Sequence, residues 1–257
     1  MKSMMKDDSS FPGRAAVILR SMYIDMQFNS AEDAVSQACH CLDSISCAFF
    51  LNYKDIGIEK SAEMVSTIAN AIDRHVLGAY SASMYKKVFH AAEMLSHNAD
   101  SQLHDLIGTK TTKTSLMLTS RNKQNAMICL NSIKTKTTAS DKLSCLTLAL
   151  EHLSRRDNDN NDNNDNNDNN DNNDDPSGNG QNMSIDADSM IQLLEYLLVE
   201  DISQRGTLWF AECTYISAMI RDNDGMLGVK GYSLVSLHQA LDSLLRSQVN
   251  LQSDEGI

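Results

Sequence analysis

"SIDADSMIQLLEYLL", running from Ser184 to Leu198, decides the fold. Met190, Leu193, Leu194, Leu197 and Leu198 recur at spacings of three and four, which is one apolar face of a helix. Two acids, Asp186 and Asp188, stand just ahead of that face. One of them suffices as an N-cap. The other gains from the helix macrodipole, an effect of about 0.3–1 kcal/mol in the first turn. Whether it has a further task depends on the segments around it.

Working outward, the same period recurs. Upstream, Asp141 opens a stretch with Leu143, Leu146, Leu150 and Leu153 on one face. Downstream, Phe210 to Ile220 centres on Tyr215, Ile216 and Met219. "YSLVSLHQALDSLL" (Tyr232–Leu245) then presents Leu237, Ala240, Leu241, Leu244 and Leu245. Between the last two, "DNDGMLGVKG" (Asp222–Gly231) reads as a Gly-rich turn region.

Nearer the start, Ser30 and Asp33 form a capping box ahead of Val35, Ala38, Leu42, Ile45 and Phe49. Further helices follow at Val65–Val76, at Met84–Leu95, in a shorter piece at Leu103–Ile107, and at Ala126–Ile133. Lys110 to Thr119 reads as a loop. No convincing strand pair occurs. The spacing predicts an all-α domain of about eight helices, layered rather than a simple bundle.

Composition agrees. Hydrophobic residues are 42% and aromatics 5%, so the core must be built from Leu, Ile, Met and Ala. Those residues other than Ile lose little rotamer freedom in helices. The two prolines, Pro12 and Pro176, lie outside the apolar periodic stretches.

The formal charge of −12 is concentrated in one place. Asp157–Gly180, "DNDNNDNNDNNDNNDNNDDPSGNG", holds eight aspartates and no Lys or Arg, and removing them leaves −4. That segment has no apolar residue to offset the entropy of ordering, and reads as a disordered insertion. Doubling a loop's length costs only about 0.6 kcal/mol, so a fold carries such an insertion easily. The remainder is mildly acidic without a basic stripe, which argues against nucleic acid as a partner. No apolar run stands out as a membrane span or signal peptide, so no direct membrane insertion is expected. Six scattered cysteines read as buried free thiols in a reducing cytoplasm.

Several signals for other chemistry fail. Cys39-His40-Cys41 suggests a metal, but alternate helical residues point nearly opposite ways. His90, His97 and His104 are two turns apart, about 10 Å between neighbours, too far to share one ion. No phosphate-binding loop or nucleophile-elbow motif is present. The single Trp209 reads as a packing residue.

Four stretches in fixed order resemble the catalytic domain named after vacuolar protein sorting protein nine (VPS-nine). "AIDRHVL" followed by "MYKKVF" is similar to the family's early helix and its "LYKxVF" segment. "ASDKLSCLTLALEHL" resembles "P-x-x-KL-x-C-I-x-x-x-x-x-x-I". "DADSMIQLLEYLLV" resembles "ADD-x-L-P-x-L-x-Y-x-x-I". "TYISAMI", then "GVKGYSLVSLHQAL", resembles "QYI-x-x-F", then "GExGYYxTNLxxAV". The likeness runs from about Ile68 to Leu245. It implies a helical layer at 30–67 and a VPS-nine-like domain at 68–250 interrupted at 157–180; residues 1–29, mixed in composition, are expected to be an N-terminal segment that is partly disordered, loose over its first dozen residues.

The family's members exchange guanine nucleotide on endosomal Rab GTPases. The resemblance therefore implies that Asp188 is an acidic finger competing for the GTPase's P-loop lysine, with Asp186 as the cap. That lysine normally neutralises the nucleotide's phosphates. At an effective dielectric of about 20, unit charges ~4 Å apart interact by roughly 4 kcal/mol. One well-placed carboxylate can then speed nucleotide loss by orders of magnitude.

Tyr232, the first aromatic after Gly231, matches the residue that grips the GTPase beside the finger. Gly231 is expected at a turn, where glycine permits positive φ. Met190, Gln192, Gly231 and Val235 fall on the expected GTPase contact surface, and Tyr196 and Tyr215 match packing aromatics. The chain departs from the pattern at Gln192 (proline in the family), Val235 (threonine), Ser233 (tyrosine) and Val229 (an acid). It also carries "YSAS" before "MYKKVF", and "EDISQRG" in place of an Asn-Pro-Pro-type turn.

The function expected is exchange on a Rab-five-type GTPase, in the cytoplasm with recruitment to endosomes. No covalent chemistry and no cofactor are expected; Mg²⁺ belongs to the GTPase. The rival reading is a catalytically lapsed or unrelated helical GTPase-binding scaffold, motivated by Gln192 and Val235.

Overall fold

The computed structural model describes residues 10–53, 62–78, 82–109, 120–155, 186–220 and 228–254. Among them are nine helices and no strand. We label them α1 (Phe11–Asp25), α2 (Ala31–Tyr53), α3 (Ala62–Leu77), α4 (Ala82–Thr109), α5 (Ser120–Ile133), α6 (Ala139–Ser154), α7 (Ala187–Arg205), α8 (Trp209–Met219) and α9 (Val229–Asp254). The Lys110–Thr119 loop and the Asp157–Gly180 insertion lie outside the described residues.

Two differences from the sequence reading have clear causes. The first is α1, which lies in a mixed stretch where the spacing marks no helix. Ser10 accepts the Gly13 N–H at 3.1 Å, and Pro12 takes a first-turn position where its missing N–H costs nothing. The other end is held by Lys87 on α4. Its ammonium donates to the Ile24 and Met26 carbonyls at 2.8 and 2.6 Å, satisfying carbonyls left over at the helix end. The Tyr23 hydroxyl donates to Ala34 O, locking α1 onto α2.

The second difference is α4, one continuous helix where two were expected. No Gly or Pro interrupts Leu95–Leu103. The polar Asp100 in that stretch is buried and accepts backbone N–H groups of another helix.

Two hydrophobic clusters form the layers. The first joins α1, α2, α3 and the front of α4, through Tyr23, Leu42, Ile45, Ile72, Met84 and Val88. The second joins the end of α4 to α5, α6, α7, α8 and α9, through Leu130, Leu146, Leu194, Leu197 and Leu237. Helices α4 and α8 belong to both. Tyr215 and Met219 of α8 face the first cluster, while Trp209, Cys213 and Ile216 face the second. Each fully buried Leu contributes about 1.5–3 kcal/mol relative to exposure.

Buried polar groups cross the same seam. Asp100 of α4 accepts the backbone N–H groups of Phe210 and Ala211 at 2.9 and 3.0 Å. The N-cap residue of α8, Leu208, offers no side-chain bond, so Asp100 caps that helix from outside it. Lys142 of α6 is fully buried, 2.7 Å from Glu212 of α8. Its ammonium also donates to Ile133 O and lies 5.4–5.6 Å from the ring centres of Tyr85, Phe89 and Tyr215. Asp201 near the end of α7 accepts from Thr207, from Trp209 Nε1 at 3.0 Å and from Arg205.

One stretch, Ala31–Leu51 in α2, is long and apolar enough to cross a bilayer by length and composition, contrary to the sequence reading. Its Ala34, Ala38, Leu42, Ile45 and Phe49 are buried in the first cluster, which is how a core helix comes to pass such a test. The six cysteines are free, but not uniformly buried. Cys41, Cys145 and Cys213 are, Cys39 and Cys129 are half-buried, and Cys47 is exposed. Burial pushes the Cys41 thiol up to about 11 and the Cys213 thiol up to about 12.

Candidate GTPase-facing site

The first turn of α7 separates the duties of its two acids. Asp186 is the N-cap, and its carboxylate accepts the Ser189 N–H at 2.7 Å. That bond holds its pKa below the ordinary carboxylate value. Asp188 is exposed, and among the described residues no hydrogen bond or ion pair engages its carboxylate. The helix is thus capped without it.

Met190 corrects an expectation. Only 5% exposed, it packs in the second cluster with Leu193 and Leu194, so it belongs to the core and not to a contact surface. Two residues on, Gln192 is exposed. The helix closes at Gly206, whose left-handed backbone (φ 61°) directs its N–H to Ile202 O. That closure does the work of the family's proline turn.

Helix α9 packs directly against α7 and α6. Gly231 is a second correction. It is buried within the first turn of α9, and the positive φ falls three residues earlier, at Gly228 (φ 104°). The Tyr232 N–H donates to Gly228 O at 2.9 Å, so the helical hydrogen-bond ladder starts there.

Beyond Gly228, α9 alternates by face. Val229, Tyr232 and Val235 are exposed, at 64%, 46% and 51%. Gly231, Ser233, Leu234, Ser236 and Leu237 are buried. The Ser233 hydroxyl donates to Val229 O at 2.8 Å, and Thr147 Oγ1 of α6 lies 3.1 Å from it. Ser236 donates to Tyr232 O. From the sequence, Ser233 stands out only as a departure from the family pattern. The signal that could have placed it is phase: Ser233 and Ser236 share the face of Leu237 and Ala240.

The packing aromatics sit where expected. Tyr215 is fully buried and donates to Thr137 O at 2.6 Å. Tyr196 is half-buried, with its hydroxyl 2.9 Å from Lys123, which also pairs with Glu200 at 2.7 Å. His90, His97 and His104 line one cleft of about 650 Å³ along α4 with Glu93 and Asp105. Among the described residues no group of three or more His, Cys, Asp or Glu is placed to hold a metal ion.

Comparison with known families fixes what this helical layer is. The model of the Vacuolar sorting protein 9 (VPS9) domain matches residues 124–248. The chain carries a VPS9 domain. The match begins inside α5 and ends within α9, and takes in Asp188 and Tyr232. It includes three of the four family-like stretches and leaves out "AIDRHVL" and "MYKKVF". No curated protein matches the chain. VPS9 domains bind Rab GTPases and act as guanine-nucleotide exchange factors on them. Most of the second hydrophobic cluster, with α6, α7 and α9 at its centre, lies within the matched residues.

Proposed function

We propose that this protein accelerates GDP release from a Rab-five-type endosomal GTPase, using the Asp188 carboxylate as an acidic finger. The observation that carries the reading is the division of labour at the start of α7. Asp186 supplies the cap, and Asp188 remains solvent-facing and unengaged among the described residues. The macrodipole alone gives an acid at that position about 0.3–1 kcal/mol, which leaves its carboxylate oxygens free for a partner.

Docking would use the exposed side of α9, with Tyr232 gripping the GTPase edge and Gln192 on α7 at the margin. Asp188 would take the P-loop lysine from the β-phosphate and repel that phosphate. Each 1.4 kcal/mol of lost nucleotide affinity is about tenfold, so a partly desolvated carboxylate is sufficient for large acceleration. No bond is made or broken in the GTPase or the nucleotide. The same reading puts the protein in the cytoplasm, recruited to endosomes by a partner; colocalisation with its GTPase on endosomes checks that.

The test is release of fluorescent GDP from a Rab-five-type GTPase, with wild-type protein, with Asp188→Ala and with no addition. Acceleration by wild type alone is expected. Equal rates in all three arms would reject exchange. Complex formation without acceleration would favour the scaffold reading.

A further inference from the structure

We propose that the outward face of α1 docks a second copy of this chain, the two α1 helices running antiparallel. The inference goes beyond the exchange reading and does not depend on it, because α1 lies outside the residues that match the VPS9 domain.

Helix α1 is apolar on two sides. Ala16 and Tyr23 face the first cluster, with Leu19 and Ile24 partly buried against it. The Tyr23 hydroxyl and the Lys87 ammonium tie that side to α2 and α4. On the other side Ile18 and Met22 are each 57% exposed, and both line a groove of about 530 Å³. A helix that is apolar all round is normally covered all round.

The pattern on the bare side chooses what covers it. Arg14, Ile18, Ser21 and Asp25 are all exposed and follow at steps of four, three and four. At about 100° per residue they stay within an arc of about 60°. That spacing is the seam of a coiled-coil pair. In a parallel pair each charge would meet its own kind. In an antiparallel pair Arg14 stands level with Asp25 of the second copy, at both ends of the seam. The same register sets the large Ile18 level with the small Ser21. Val17 lies on one flank of the seam and Met22 on the other. The surface is thus complementary to itself, as a two-fold contact requires.

The charges point the same way. The first turn of α1 has no acid and its last turn no base. Arg14 near the start and Asp25 at the end both oppose the macrodipole, so helix stability does not account for them. A lipid surface fits the strip less well. Anionic headgroups favour a strip flanked by cations alone, and the chain is net acidic. Fifteen residues of helix run about 22 Å. A face of that length buries roughly half of the ~800 Å² per copy that a standard interface uses, so a dissociation constant of about 10–100 μM is expected.

The test is sedimentation velocity of the whole chain, at concentrations from well below to well above that constant. Wild type should pass from monomer to dimer, and Met22→Glu should stay monomeric. Arg14→Asp sets acid against acid at each end of the seam and should weaken association about tenfold. Arg14→Asp combined with Asp25→Arg restores opposite charges, and its constant should return to within about threefold of wild type. Both exchanges move charge to the end that the macrodipole favours, so the helix itself is not harmed; circular dichroism checks this for every variant.

A wild type that is monomeric throughout overturns the proposal. So does a dimer that Met22→Glu leaves intact, or a double variant that fails to regain association. Flotation of monomeric wild type with phosphatidylserine vesicles, lost in Met22→Glu, would assign the strip to a membrane and overturn the proposal as well.

Discussion

Thr147 on α6 stands 3.1 Å from Ser233 on α9, the residue next in the chain to Tyr232. The contact joins two helices through hydroxyls where the related pattern has a bulky aromatic. It ties α9 to α6 one residue from Tyr232. Thr147→Val keeps the shape and removes the bond. The expected loss is about 0.5–1.5 kcal/mol of stability. A rise in KM without a fall in kcat, read in a GDP-release assay, would mark the loss of Tyr232 positioning.

The acids of α7 should respond in opposite ways. Asp186→Ala removes the bond to the Ser189 N–H, so Tm should fall while exchange at low temperature persists. Asp188→Ala should leave Tm near the wild-type value and abolish acceleration of GDP release. Calorimetry and the release assay, run on both variants, separate capping from catalysis. If Asp186→Ala were the inactive one with an unaltered Tm, the assigned roles would be reversed.

The buried Lys142–Glu212 pair is costly to break and cheap to replace. Burial pulls Lys142 below its ordinary pKa and pushes Glu212 above its own, against their mutual attraction. Removing one partner strands the other charge, and Lys142→Met or Glu212→Leu alone should cost about 3–5 kcal/mol. The double substitution should recover most of that. Urea denaturation of the three variants measures the coupling.

Acid should weaken the tie between α3 and α6. Arg74 grips Asp141 with two nitrogens, Nε at 3.0 Å and Nη2 at 2.5 Å. The Arg74 hydrogen bonds hold the Asp141 carboxyl below its ordinary 3.8. On unfolding, the carboxyl reverts to that ordinary value and takes up a proton first as pH falls. The stabilisation is therefore present above about pH 3.8 and is lost as pH drops through the lower folded value. Both side chains are partly exposed, so the effect is modest. Arg74→Met should melt below wild type at pH 7, with the gap closing at pH 2.

Asp100 offers a test of capping across the seam. Asp100→Ala leaves the Phe210 and Ala211 N–H groups without their acceptor, and the expected loss is about 1–3 kcal/mol. Hydrogen exchange should quicken first at those two amides.

The all-helical fold was legible because the apolar period is strong where it matters. Leu143–Leu153 and Met190–Leu198 each mark one face without interruption, and both faces are buried. The start of α2 was legible too. Ser30 accepts the Asp33 N–H, although the returning Asp33 carboxylate meets Asn29 N–H rather than Ser30's own. The ordered α1 was missed because its C-terminal end is held by Lys87 of α4, a contact far away in sequence. The continuity of α4 was missed because, between Leu95 and Leu103, Ala99 is the one apolar residue and the period lapses.

At the candidate site, the Asp186 cap could be read from spacing alone. The burial of Met190 and Gly231 could not. Each lies one or two residues from an exposed position, and only the exact rotation of the helix on its neighbours decides which way it turns.

The family likeness begins at residue 124, but α4 ends at Thr109. Tyr85, Phe89 and Asp100 therefore lie upstream of that boundary, although the ammonium and the amides they serve lie downstream. A fragment trimmed to the recognisable portion would inherit the lysine without two of its three rings, and a helix start without its acceptor. A clone that keeps these contacts must reach back past Tyr85, so one designed on the likeness alone would begin too late.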